Sequence, residues 1–145
     1  MDGKEGADRT ILVVEDHDDT RALLRRLLEH HGYGVAEASD GRRAVEAVRL
    51  RCPDLILMDL HLPLLDGEGA TRLIRELSGV CPVPIIAVTA LDAEEHRRRA
   101  VLAGCNEYVE KPPDPELLLA KIATLLEAGR AARLAERMAA AMHAG

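Results

Sequence analysis

An open α/β fold, a five-stranded parallel sheet wound on both faces by helices, is what this 145-residue sequence predicts. Three observations carry the prediction. Strand-like and helix-like segments alternate along the chain. The strand-like segments recur at intervals of roughly twenty to thirty residues without any repeat of sequence, which suits right-handed crossovers between parallel strands. Three of them are unbroken apolar runs, as expected of strands covered on both sides.

Thr10–Val14 reads as the first strand, and Asp18–His31 as a helix with Leu23, Leu24, Leu27 and Leu28 on one face and Gly32 placed to end it. Tyr33–Ala38 alternates like a strand. Asp40–Arg51 carries Ala44, Val45, Ala47 and Val48 at helical spacing, with Pro53 just beyond. Leu55–Met58 is the next apolar run, and after the "LPLLDG" loop Asp66 can cap a helix bearing Ala70, Leu73, Ile74 and Leu77. Pro84–Val88 follows as a strand. Asp92 and Glu95 form a capping pattern for a helix reaching Ala103, which Gly104 stops. Cys105–Val109 is the last strand, and Pro115–Glu127 the last helix, with Leu118, Ile122 and Leu125 inward.

Residues 1–9 form a polar leader, 10–127 one domain, and 128–145 an Ala- and Arg-rich extension. A chain of this length holds one core of ordinary size. The net charge of −6 argues against a nucleic-acid binder, and with only Tyr33 and Tyr108 as aromatics, stacking on bases is not offered. No apolar run is long enough for a membrane span, and "MDGKEGAD" has no apolar signal segment. Cys52, Cys81 and Cys105 are odd in number and far apart, which points to a reducing compartment rather than a disulfide framework.

In a fold of this kind, ligands bind beyond the carboxyl ends of the strands. There the polar residues complement one another. Glu15 and Asp16 follow the first strand, Asp59 closes the third, Thr89 the fourth, and Lys111 follows the fifth. Carboxylates from separate strands suit a hard divalent cation such as Mg²⁺, which prefers oxygen ligands. A hydroxyl and an ammonium opposite them can grip phosphoryl oxygens. Only three of the nineteen Lys and Arg residues are lysines, so Lys111 supplies a compact point charge in a chain that uses arginine almost everywhere.

The set "VVED", "LILMDLHLPLLDG", "VTA" and "YVEKPP" resembles the receiver domain of bacterial two-component response regulators, and the separations between the motifs agree as well. The resemblance covers about residues 10 to 127. It implies the flavodoxin-like (βα)5 receiver fold with strand order 2-1-3-4-5. It implies that Asp59 accepts a phosphoryl group from a histidine kinase or phosphotransfer protein. Asp16 would ligate Mg²⁺ directly and Glu15 largely through water, with Asp59 and the backbone carbonyl of His61 completing the protein ligands. Lys111 and Thr89 would hold the phosphoryl oxygens. Thr89 and Tyr108 would form the switch that alters the surface of the fourth helix, last strand and fifth helix, and the Lys111–Pro112 peptide would be cis. The chain would then act in the cytoplasm as a switch rather than an enzyme, catalysing only its own phosphorylation and dephosphorylation.

Other features have plainer readings. Asp18 and Asp19 complement the dipole of the first helix, His30 and His31 suit its end, and His96–Arg99 form a solvated helix face. Ala90 leaves the site accessible. Two alternatives stay open. "DHDDT" also resembles the first motif of haloacid-dehalogenase-type phosphatases, with Asp16 as nucleophile and Asp18 as general acid; a phosphate-independent interaction module is the other. In the extension, Leu134, Met138 and Met142 recur on one helical face, with Gly129 as a hinge. The plain reading is a frayed extension of the last helix; docking on a protein partner or in a homodimer is the alternative. With no DNA-binding domain in the sequence, output is expected through contact with a downstream protein, as in a single-domain regulator, unless the chain is a piece of a hybrid kinase or longer regulator.

Overall fold

The computed structural model describes residues 9–62, 64–77, 81–90 and 94–144. Five parallel strands alternate with five helices: β1 (Thr10–Val14), α1 (Asp18–His30), β2 (Gly34–Ala38), α2 (Gly41–Leu50), β3 (Leu55–Asp59), α3 (Gly67–Glu76), β4 (Ile85–Thr89), α4 (Glu94–Ala103), β5 (Glu107–Glu110) and α5 (Pro115–Ala144). The strand order is β2-β1-β3-β4-β5. The predicted Asp92–Glu95 cap lies partly outside the described residues, as do residues 1–8.

Strand periodicity divides the apolar residues between two faces. Leu12, Val14, Ile56, Met58, Ile85 and Ala87 pack with Ala44, Val45, Val48, Ala70, Ile74 and Ala100, so α2, α3 and α4 cover one side. Ile11, Val13, Leu55, Leu57, Ile86 and Val88 pack with Leu24, Leu28, Leu118, Ile122 and Leu126, so α1 and α5 cover the other. Every residue of β3 and β4 is buried, which matches the apolar runs that precede their polar last residues, Asp59 and Thr89. Leu23, expected on the buried face of α1, is instead exposed. The stripe on this helix is narrower than its four leucines suggest, because Leu24 and Leu28 already fill the contact with the sheet.

Helix ends follow local chemistry. Asp40 Oδ1 accepts from the Arg43 amide at 2.8 Å, and Asp66 Oδ1 from the Gly69 amide at 2.7 Å. Gly67 is required by packing: a Cβ there would overlap the Asp59 carbonyl oxygen and lie 2.7 Å from Leu60 Cα. This close approach seats the start of α3 against the end of β3. In the intervening loop Leu64 is exposed and has φ of 68°, a left-handed conformation that costs a side-chain-bearing residue about 1–2 kcal/mol. Leu64→Gly is expected to raise stability by about 0.5–1 kcal/mol after its own entropic cost, measurable in a denaturant titration.

The cysteine expectation is overturned. Cys52 and Cys81 form a disulfide with their Cα atoms 5.6 Å apart, and Cys105 is free and buried. The two cysteines are 29 positions apart in sequence, but one precedes β3 and the other β4. These strands are hydrogen-bonded neighbours, with Ile56 opposite Ile85, so both cysteines come to the same end of the sheet, where the strands begin. Cysteine spacing therefore no longer argues for a reducing compartment. At the other extreme of the chain, α5 runs thirty residues and passes through Gly129 without a break. Beyond Leu126 its apolar residues Leu134, Met138 and Met142 are exposed. Among the described residues no helix is long and apolar enough to cross a membrane.

Candidate functional site

The parallel register carries the polar residues to one end of the sheet. Val14 of β1 lies opposite Met58 of β3, so Glu15 and Asp16 emerge beside Asp59. Asp59 in turn lies opposite Val88, and Thr89 opposite Glu110. The backbone amide of Lys111 donates to the Thr89 carbonyl at 2.8 Å, which fixes the lysine at the mouth of the same cleft. Its ammonium donates to Glu15 Oε1 at 2.5 Å and to Asp59 Oδ2 at 3.0 Å. These bonds join residues 96 and 52 positions apart. The Lys111–Pro112 peptide is cis, as the resemblance implies.

Asp59 is 3% exposed. Its Oδ1 accepts from the His61 backbone N–H at 2.9 Å, so both carboxylate oxygens are oriented. Burial pushes its carboxyl above the usual carboxylate range, with the neighbouring Glu15 charge adding to the rise, against the His61 and Lys111 bonds that oppose it. Glu15 is buried as deeply, yet the Lys111 and His17 hydrogen bonds outweigh that burial and hold it at about 2. For Lys111, burial alone would favour loss of the proton, but its two carboxylate partners raise it above the ordinary lysine value.

These opposite shifts predict a two-limbed acid response in metal-free protein. Asp59, whose folded value is raised, takes up its proton first as pH falls, and stability rises. Glu15, whose folded value is depressed, contributes stability above about 4.5 that is lost as pH falls to about 2. The thermal midpoint should therefore fall steeply between those two values. Glu15→Gln should flatten that lower limb, as followed by calorimetry.

The remaining residues divide into those inside the cleft and those outside it. Asp16 Oδ1 is buried and accepts no hydrogen bond. An orphaned carboxylate oxygen next to Glu15, at the end of the sheet where Asp59 also lies, is the oxygen chemistry a hard divalent cation takes, so these carboxylates are compatible with Mg²⁺. Thr89 is fully buried at the end of β4. Tyr108 is half-buried against the α2–α4 side of the core, with the Arg97 guanidinium carbon 6.0 Å from its ring centroid. The His61 ring is exposed and faces His96 at 6.5 Å. Asp18 is paired with Arg21 at 2.7 Å and is 87% exposed, outside the cleft, where a general acid would have nothing to protonate.

Two participants escaped the sequence reading. Arg21 donates to the Glu15 carbonyl at 2.9 Å and ties α1 to the end of β1. His17, between the acidic residues, places Nδ1 3.2 Å from Glu15 Oε2 and 3.3 Å from Asp16 Oδ1. Its position in the acidic run was the available signal. The Glu15 and Asp16 charges raise its affinity for a proton, the Glu15 hydrogen bond most of all.

Comparison with known proteins gives a consistent picture. Residues 11–123 match the family model of the response regulator receiver domain. The chain is 39% identical over 109 residues to an uncharacterised 14.6 kDa protein of Leptolyngbya boryana, covering 75% of this chain and 83% of that one. It is 38% identical over 116 residues to the response regulator MprA of Mycolicibacterium vanbaalenii, covering 80% of this chain and 49% of that protein. The chain thus spans about half the length of the latter, and only 18% of a Vibrio cholerae sensor kinase that it also matches. Among solved structures, the receiver domain of the sensor histidine kinase PA1611 from Pseudomonas aeruginosa, with magnesium coordinated in its active-site cleft, is similar with TM-score 0.77 and 36% identity, over 82% of this chain and 98% of that one. The receiver domain of Saccharomyces cerevisiae Ssk1, crystallised with the histidine phosphotransfer protein Ypd1, is similar with TM-score 0.75 and 34% identity, over 79% and 86%.

Proposed function

The chain belongs to the response regulator receiver domain family, and from that premise we propose that it is a phosphoacceptor switch in which Asp59 takes a phosphoryl group from a phosphohistidine. The observation that carries this reading is the Lys111 ammonium bridging Glu15 and Asp59 across three strand ends. A carboxylate is a weak nucleophile, so its reactivity toward phosphorus rests on position and charge rather than on base catalysis. His61 N–H and Lys111 hold the two Asp59 oxygens at the cleft mouth. An Asp59 oxygen attacks phosphorus, the bond from phosphorus to the histidine nitrogen breaks, and the departing imidazole carries away the electron pair.

Mg²⁺ bound by Glu15, Asp16, Asp59 and the His61 carbonyl would neutralise charge on the phosphoryl oxygens. Lys111 pairs with one of those oxygens and the Thr89 hydroxyl donates to another. Movement of Thr89 toward that oxygen empties space behind β4. Tyr108 on the neighbouring strand turns into it, altering the α4–β5–α5 surface that a downstream protein reads. Hydrolysis of the acyl phosphate resets the switch. We place the domain at residues 10–127 and its donor, a histidine kinase or phosphotransfer protein, with it in the cytoplasm.

The test is phosphotransfer in the presence of Mg²⁺ from a purified phosphohistidine protein, followed by peptide mass mapping. One phosphoryl group on Asp59, dependent on divalent cation, is expected. Transfer to any other residue, or none from donor or small acyl phosphate, would overturn the assignment.

A further inference from the structure

At the end of the sheet opposite Asp59, where β3 and β4 begin, the Cys52–Cys81 disulfide joins two segments of unequal exposure. Cys52 is exposed, whereas Cys81 is 2% exposed and packs in the core with Val83 and Ile85. One half of the bond is open to a reagent in solution and the other is shielded. Each cysteine is also held by contacts that do not involve the bond. Ahead of Cys52, the Arg51 amide donates to the Ala47 carbonyl at 3.0 Å and closes α2. Beyond it Pro53 is buried, the Asp54 amide donates to the Thr10 carbonyl at 2.8 Å, and Asp54 Oδ2 accepts from the Thr10 amide at 2.7 Å. The Cys81 amide donates to the Leu77 carbonyl at 2.8 Å, and the Cys81 carbonyl accepts from the Val83 amide at 2.9 Å. The Arg75 guanidinium donates to the carbonyls of Val83 and Gly104 and so ties this segment to the end of α4.

We propose that Cys52 is a reversible thiolation site for low-molecular-weight thiols of the glutathione class, with Cys81 as the internal thiol that resolves the adduct. The chemistry lies away from the Asp59 cleft and does not depend on the phosphoacceptor reading. A small thiolate attacks Cys52 Sγ, the bond between the two cysteine sulfurs breaks, and Cys81 Sγ leaves with the electron pair and takes a proton. The products are a mixed disulfide on Cys52 and a thiol on Cys81. The Cys81 thiolate then returns to Cys52 Sγ and expels the small thiol, with no net oxidation or reduction. In the competing step a second small thiol removes the first as its own disulfide, so two thiols supply two electrons and both cysteines end reduced. The small disulfide runs these steps backward. Anchored flanks keep the two Cα atoms, 5.6 Å apart in the closed bond, within reach after opening, so the return of Cys81 is intramolecular and favoured. Cys105 takes no part: it is buried, and burial pushes its thiol up to about 11, which leaves little thiolate.

The test incubates the full chain in a buffer of reduced and oxidised glutathione, quenches with acid, alkylates the free thiols and maps the peptides by mass. The glutathionyl group is expected on Cys52 alone. Cys81→Ala, which lacks the resolving thiol, should carry about tenfold more of it than the parent. In the fully reduced parent, iodoacetamide should label Cys52 about tenfold faster than Cys81 or Cys105, because access to the sulfur sets the order. That measurement needs no variant and decides the matter if Cys81→Ala does not fold. Adduct on Cys81 or Cys105, equal adduct in the parent and Cys81→Ala, or equal labelling of Cys52 and Cys81 overturns the proposal. Three free thiols persisting in excess oxidised glutathione overturn it as well.

Discussion

Asp59→Asn is expected to take up no phosphoryl group from either a phosphohistidine donor or a small acyl phosphate, while melting at a higher temperature than the parent. The two outcomes share one cause. Asp59 sits 3% exposed beside Glu15, and burial raises its carboxyl above the ordinary range, so its charge at neutral pH works against the fold. The amide is nearly the same shape and can still accept from the His61 N–H. Lys111 keeps Glu15 as its partner. Replacing a desolvated charge by a neutral isostere should add about 1 kcal/mol, or ~3 °C for a chain of this size. Intact-mass analysis and calorimetry check the two parts separately. Retention of the label on another carboxylate would remove Asp59 from the chemistry; a lower melting point would mean its charge is better compensated than the geometry implies.

Lys111→Met should be the more damaging change. It removes the cation shared by two buried carboxylates and leaves Glu15 and Asp59 with no ammonium between them. Breaking one side of a buried pair costs about 3 kcal/mol, and metal-free Lys111→Met should show a loss of that order in denaturant unfolding. Saturating Mg²⁺ should return part of it, since a ligand bound only by the folded state stabilises by mass action. The parent, whose lysine already neutralises the cluster, should gain less from the same addition. If phosphoryl uptake continues in Lys111→Met, the lysine is then needed for the response of the α4–β5–α5 surface and not for the transfer itself. Equal Mg²⁺ stabilisation of both proteins would mean that lysine and cation do not share the carboxylates.

Much of this molecule was legible before any coordinate. Strand and helix identity follow from apolar periodicity and from Gly, Pro and Asp at element ends, which are short-range properties. The polar residues at Glu15, Asp16, Asp59, Thr89 and Lys111 stood out because each follows an apolar strand, and a parallel sheet delivers all carboxyl ends to one side. The receiver motifs "VVED" and "YVEKPP" added roles that no local pattern contains.

What folding alone decided were pairings between segments distant in sequence. Cys52 and Cys81 read as isolated thiols because spacing within the chain says nothing of two loops brought together by neighbouring strands. Leu23 read as core because helical period gives a face but not the width of the contact. His17 carried no sequence expectation, and only the fold sets its ring 3.2 Å from Glu15 and 3.3 Å from Asp16. The opposite proton affinities of Glu15 and Asp59 follow the same rule: two similar carboxyl groups diverge because burial and the position of one lysine, set by the whole sheet, act on them unequally.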